Sequence, residues 1–217
     1  MMFVRSFPLA LLIAVPLFVS AGRWQVPAFA AYVLMHWLST ATIYTLALRR
    51  HPGLVAERLK PPSDRDRATR RIAIPLFLAF CIVAGLDVGR FGWSTVHPAV
   101  QGAGFAAVAA GLAFVGWTLL SNPYASTAVR IQEERGHEVI TTGPYAIVRH
   151  PMYLGVLLFA LGSGPALGSW WAGLMMLPIL AVFVRRTLRE DRMLHEELPG
   201  YAAYARTVRS RVVPGVF

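Results

Sequence analysis

Long apolar runs separated by short polar stretches dominate the chain, and their lengths predict helices that cross a membrane. Phe7 to Gly22 is apolar behind a single arginine. Its length and its Val19-Ser20-Ala21 ending also fit a cleaved leader, but the membrane protein that follows favours a retained first span. Val26 to Leu48 reads as a second span, long enough to cross a hydrocarbon core of ~30 Å at ~1.5 Å per residue. Ile72 to Leu86 and Ala99 to Leu120 read as the third and fourth. Tyr153 to Val184 would be about 48 Å long as one helix, too long for a single span. Gly162-Ser163-Gly164-Pro165 followed by Gly168-Ser169 predicts a break there, giving a hairpin with arms of about 9 and 16 residues. Arms that short are marginal for a full crossing.

The polar stretches orient these spans. Residues 49–71 carry eight basic and three acidic side chains around a helix-breaking Pro61-Pro62. That is the pattern of a cytoplasmic loop whose charge fixes topology. Asp87, Arg90, Trp93 and His97-Pro98 form a polar turn before the fourth span, whose Gly102, Gly104, Ala106, Ala107, Ala109, Ala110 and Gly111 would let neighbouring backbones approach closely. After four crossings, residues 122–149 return to the side on which the chain begins. The hairpin then brings Arg185, Arg186, Arg189 and Arg192 back to that side, on a helix stopped by Pro199-Gly200. The predicted fold is an all-α polytopic transmembrane helical bundle of four spans plus a C-terminal helical hairpin. Residues 1–120 form the N-terminal membrane helices, and residues 121–217 a second, more polar half. Both termini are expected in the cytoplasm.

Composition agrees: 56% of the 217 residues are hydrophobic, 15% are charged, and the mean hydropathy is +0.52. The net charge of +10 sits in a few loops and one tail beside apolar spans, which is the positive-inside distribution rather than a nucleic-acid footprint. The lone cysteine, Cys81, lies in an apolar run, excludes an internal disulfide and reads as a small packed hydrophobe. All but one of the Lys and Arg residues are arginine, which hints at a GC-rich bacterial genome and hence a bacterial inner membrane.

Chemistry concentrates where membrane meets polar segment. Arg149-His150-Pro151-Met152-Tyr153, preceded by Tyr145, gathers a cation, an imidazole and two phenols at one membrane edge. Pro151 suits the first turn of the helix that follows, whose N-terminal N–H groups could face an anion. The alternative is that Arg149, Tyr145 and Tyr153 are interfacial anchors. Arg186 and Glu190 share one helix face, in the less favourable order for an ion pair. They are either a surface pair or the two charges that hold a zwitterion. His36, inside the second span, reads as a hydrogen-bonded group between helices rather than a ligand. His137 and His150 are too isolated for a metal site, and no HExxH, cysteine cluster, phosphate loop or nucleophile elbow occurs.

The stretch from Gln132 through Arg149-His150-Pro151-Met152-Tyr153, then a hairpin, then Arg186, Glu190-Asp191, Leu194 and Tyr201-x-x-Tyr204, resembles the C-terminal half of the isoprenylcysteine carboxyl methyltransferase family. The likeness covers about 85 of the 217 residues; the N-terminal half matches only as generic membrane helices. The resemblance implies a membrane methyltransferase that encloses S-adenosyl-L-methionine at the cytoplasmic face and admits a lipid-like or small hydrophobic acceptor from the bilayer. It implies cofactor contacts at Gln132, His137, Glu138, Val139, Ile140, Tyr145, His150, Pro151, Met152, Tyr153 and Glu190. Arg186 would then orient the acceptor, and Glu190 would hold the cofactor or accept a proton. The linker from Gln132 to His137 is two residues shorter than in eukaryotic members, and Asp191 stands where the family often has a second glutamate. Membrane sterol reductases, which use NADPH, are similar in the Arg-His-Pro-x-Tyr-x-Gly stretch and the terminal Tyr-x-x-Tyr. A non-catalytic scaffold or transporter is the third reading.

Overall fold

A computed structural model describes residues 2–60 and 64–217, with the side chains of 2–5, 64–66 and 68 left aside. The Pro61-Pro62 break expected from sequence lies outside the described residues. The helices are α1 (Met2–Ala21), α2 (Pro27–Arg50), α3 (Pro52–Arg58), α4 (Asp64–Gly85), α5 (Pro98–Ser121), α6 (Pro151–Leu167), α7 (Trp170–Glu197) and α8 (Tyr201–Thr207). Proline opens α2, α3, α5 and α6, where its missing N–H costs nothing and its fixed φ suits the first turn. His97 caps α5 through the Ala99 amide at 3.2 Å, and Ser169 caps α7 through the Ala172 amide at 3.0 Å.

Among the described residues, α2, α5, α7 and the stretch Thr69–Phe91 are long and apolar enough to cross a membrane; Ser6–Ala21 and α6 are shorter apolar helices. The chain is an integral membrane protein. Large apolar side chains such as Leu12, Val15, Leu34, Leu161 and Leu177 remain 40–56% exposed, as a lipid-facing belt requires. The core is formed by Ile13 and Leu17 of α1, Phe29 and Tyr32 of α2, Phe80 and Cys81 of α4, Val108 of α5 and Ala160 of α6. The apolar helices alternate in direction. The C-terminal ends of α2, α5 and α7 therefore meet the N-terminal end of α6 on one side, and the α6–α7 turn lies on the other.

The predicted hairpin exists, but its geometry differs from expectation. α6 runs straight through Gly162-Ser163-Gly164-Pro165 and ends only at Gly168, whose φ of +85° closes the helix. The arms are 17 and 28 residues, not 9 and 16, so the second arm is a full span. The small residues that read as breakers are packing surfaces instead. A β-carbon on Gly162 would come within 2.6 Å of the Gly104 carbonyl oxygen, and one on Gly111 within 2.6 Å of the Gly155 carbonyl oxygen. Of the glycines singled out in α5, Gly104 and Gly111 make this approach, whereas Gly102 has open space beside it.

The polar turn after α4 is a buried fastening. The helix widens to a π turn over Leu86–Phe91, and fully buried Asp87 accepts from the Ser94 amide at 2.7 Å, the Ser94 hydroxyl at 2.6 Å and the Ser169 hydroxyl at 2.5 Å. It ties the α4–α5 connection to the α6–α7 turn. His36 packs edge-on against Phe159, and its Nδ1 has no hydrogen-bond partner, contrary to the interhelical hydrogen bond expected of it.

Because α5 and α6 touch backbone to backbone, Gly111→Leu should force them apart and cost roughly 1–3 kcal/mol, read as a lower unfolding temperature in detergent. Gly102→Leu should leave that temperature unchanged.

Candidate functional site

The site lies at the end of the bundle where α6 begins and α7 leaves the apolar layer. The sequence of α7 turns from apolar to charged at Arg185, so its last turns stand outside the hydrocarbon. A cavity of about 240 Å³ opens there, walled by residues 122–130, 137–140, the start of α6, the end of α7, and Tyr201 and Tyr204 of α8. His137, Glu138, Val139, Ile140, Tyr145, His150, Pro151, Met152, Tyr153, Arg186 and Glu190 all line it. Gln132 does not. It is fully buried behind the wall, where its side-chain amide donates to the Tyr124 carbonyl oxygen at 2.8 Å and its oxygen accepts from Arg135.

Arg186 and Glu190 do not act as a simple surface pair. The phenol of Tyr153 stands between them, accepting from Arg186 Nε at 2.9 Å and donating to Glu190 Oε2 at 2.6 Å. Arg186 also donates to the Thr127 carbonyl oxygen. An oriented cation and an oriented anion therefore face the cavity on one relay, with the Glu190 carboxylate 4.0 Å from His150 Nδ1.

Behind this relay sits Asp191, 3% exposed. Its carboxylate accepts from Arg149 at 3.0 and 3.2 Å, His150 Nε2 at 3.0 Å, the Tyr201 hydroxyl at 2.9 Å and Arg211 Nε at 2.9 Å. Burial alone would raise its pKa, but the hydrogen bonds from His150, Arg149 and Arg211 outweigh it and hold the carboxyl well below the usual carboxylate range. Donation from Nε2 to Asp191 leaves His150 Nδ1 facing Glu190. Arg149 spends its remaining donors on the Val208 and Arg209 carbonyl oxygens, at 3.0 and 2.8 Å. The Arg149 and His150 amides bond the Ser210 and Arg211 carbonyl oxygens at 3.0 and 2.8 Å. The C-terminal tail is thus part of the site's frame. Arg149 reads here as a structural counter-ion, neither a snorkelling anchor nor a cavity cation in its own right.

The facing wall is aromatic. His137 stacks on Tyr124 with ring centres 4.6 Å apart, and its Nδ1 accepts from the Gln132 amide at 3.3 Å. Burial, with Arg135 and Arg130 nearby, lowers the His137 pKa, so the ring is neutral at pH 7 and carries its proton on Nε2. Asn122 donates to the Tyr145 hydroxyl at 2.7 Å, and the Tyr204 hydroxyl donates to the Tyr145 carbonyl oxygen at 2.7 Å. Val139 packs with Leu198, Tyr201 and Tyr204.

The basic loop does more than fix topology. Glu57 of α3, 5% exposed, accepts from Arg130 at 2.7 Å and pairs with Lys60 at 2.6 Å, and Arg130 also bonds Glu134 at 2.6 Å. Arg58 and Arg70 reach the cavity itself. The run of basic residues was visible in the sequence, but nothing in their spacing distinguishes cavity cations from topology charges.

Replacing Asp191 by Asn keeps the shape but leaves Arg149 and Arg211 without their shared anion. Unpairing buried charge costs roughly 3–5 kcal/mol. The Arg149 and His150 amides should then exchange hydrogen at least about a hundredfold faster, while the amides of α2 and α5 keep their protection.

Residues 100–199 match the family model for phospholipid methyltransferases. The cobalt-zinc-cadmium resistance protein CzcN of Cupriavidus metallidurans is 29% identical over 161 residues, 72% of this chain and 68% of that protein. The nickel-cobalt-cadmium resistance protein NccN of Alcaligenes xylosoxydans xylosoxydans is 24% identical over 146 residues, 67% of this chain and 65% of that protein. The matched segment runs from the first turn of α5 through the polar wall and α6 to just past the end of α7. It holds the Tyr153 relay and Asp191, so the residues of the candidate site lie mostly within the part of the chain that is similar to phospholipid methyltransferases.

Proposed function

We propose that the protein is a membrane methyltransferase that uses S-adenosyl-L-methionine and transfers its methyl group to a lipid-like or small hydrophobic acceptor, in a site facing the cytoplasm. The observation that carries this reading is the Arg186–Tyr153–Glu190 relay, set in an aromatic cavity within the segment that matches a methyltransferase family.

The residues fit the cofactor. Glu190 offers an oriented carboxylate to its ammonium group, Tyr124, Tyr145 and the neutral His137 offer flat faces to its adenine, and Val139, Ile140 and Leu194 offer apolar walls. When bound, S-adenosylmethionine supplies a methyl group on a cationic sulfur, which leaves with the bonding pair as a thioether while the acceptor's lone pair forms the new bond. The chain's contribution is to bind, orient and exclude water. Holding two reactants in line can supply up to roughly 7–11 kcal/mol of the barrier. Arg186 orients an anionic acceptor and Tyr153 fixes its guanidinium. A carboxylate or thiolate acceptor needs no base; for an amine or phenol, Glu190 is the nearest candidate to take the proton.

The relatives' names associate them with resistance to cobalt, zinc, cadmium and nickel. No group of three or more His, Cys, Asp or Glu that could hold a metal occurs among the described residues to favour direct metal binding here.

Calorimetry of the purified protein with S-adenosylmethionine, its demethylated product and NADPH tests the proposal. Binding of the first two is expected. Glu190→Gln should weaken it about tenfold to a hundredfold, the loss of one hydrogen bond to a charged group, with the unfolding temperature retained. Binding of NADPH in their place would mark a reductase, and binding of none would remove the enzymatic reading.

A further inference from the structure

This inference rests on the methyltransferase reading and concerns what holds the cofactor's wall in place. Residues 122–140 run as irregular chain around a single 3-10 turn, Glu133–Arg135. Their backbone hydrogen bonds are local, such as those from the Ala125 amide to the Asn122 carbonyl oxygen and from the His137 amide to the Gln132 carbonyl oxygen, both at 3.3 Å. Ordering a segment of that kind is costly in chain entropy, so partners from elsewhere in the fold must fix it.

Helix α3 supplies them. Leu54, fully buried, packs with Ala125 and Leu119, and Arg58 donates to the Ala125 carbonyl oxygen at 2.7 Å. A β-carbon on Gly53 would stand 3.2 Å from a guanidinium nitrogen of Arg135. The first turn of α3 thus also touches Arg135, which reaches over the Tyr124 ring at 5.6 Å. Glu57 is the anchor. Only 5% exposed, it accepts from Arg130 Nε and Nη2 on one oxygen, at 3.1 and 2.7 Å, and pairs with Lys60 through the other at 2.6 Å.

Arg130 carries the connection onward. Its guanidinium forks onto both carboxylate oxygens of Glu134, at 3.2 and 2.6 Å. An exposed pair of that kind contributes little by itself; tied to a buried carboxylate it becomes a fixed strut. Glu134 belongs to the 3-10 turn that ends at Gly136, φ +63°, and delivers His137 onto the Tyr124 ring. Side chains therefore link Glu57 to the pair of rings beside the cavity. The anchor itself, on α3, lies outside residues 100–199, the segment that matches the family model.

We infer that Glu57 is a positioning residue of the cofactor site: through Arg130 and the turn at Glu133–Arg135, it fixes the His137–Tyr124 stack against which the adenine of S-adenosylmethionine lies.

The test is calorimetry of S-adenosylmethionine binding to the full chain in detergent. Glu57→Gln should weaken binding about tenfold, the lower end of what a hydrogen bond to a charged group contributes. Arg130→Gln should do the same. The double variant should bind no more weakly than either single one, because the two side chains act as one strut. Glu57→Gln joined to Glu190→Gln should instead multiply the two losses, since these residues serve opposite ends of the cofactor. A general loosening of the protein would not give that pattern. Lys60→Gln removes the other partner of Glu57, whose side chain is 61% exposed, and should leave affinity unchanged. Unchanged affinity in Glu57→Gln, multiplied losses in the Glu57 and Arg130 double variant, or an equal loss in Lys60→Gln overturns the inference. Should Glu57→Gln fail to fold, Arg130→Gln decides, a tenfold loss supporting the inference and unchanged affinity overturning it. If the unmodified protein binds no S-adenosylmethionine, the methyltransferase reading falls and this inference with it.

Discussion

One buried carboxylate holds the site together. Asp191 is reached by two arginines, a histidine and a tyrosine that come from the start of α6, from α8 and from the tail. Desolvating so many polar groups is expensive, and only a complete set of hydrogen bonds offsets it. The arrangement is therefore close to all-or-none: removing any donor leaves charge stranded in a dry place. Its consequence is geometric. His150 at the start of α6 and Glu190 near the end of α7, about 40 residues apart in sequence, are held at fixed relative positions beside the cavity. The cluster does for the polar end of the bundle what Asp87 and its two serines do for the opposite end.

Between these two fastenings, packing alone sets the spacing. The α5–α6 contact depends on glycines facing carbonyl oxygens, and lipid provides no hydrophobic force that would restore the contact if a side chain intervened. The close approach brings the C-terminal end of α5, and so residues 122–130, against the beginning of α6. Tyr145, Asn122 and Tyr204 then complete a polar wall directly above the apolar layer.

Much of this was legible from the chain. The apolar runs marked the helices, Pro151 marked the start of α6, and the Arg-His-Pro-x-Tyr cluster marked the site's edge. What was not legible has a common cause. Asp191 looked like a shortened glutamate because its four donors are distant in sequence, and no local pattern reports them. Glycine and proline at 162–165 carried a turn signal that membrane packing overrode, since close helix contact favours the same small residues that turns do. Gln132 was expected to touch the cofactor from the family resemblance, yet it lies behind the wall, bracing Tyr124. Arg58 and Arg70 were indistinguishable from topology charges until α3 was seen folded under residues 125–130.

The account's central claim is that two walls, residues 137–153 and 186–204, form one site because the Asp191 cluster couples them. Hydrogen–deuterium exchange on the purified protein, with and without saturating S-adenosylmethionine, tests it most directly. The account predicts that exchange slows in both walls together and with the same dependence on ligand concentration. Protection confined to one wall, or appearing in the two at different concentrations, would contradict it.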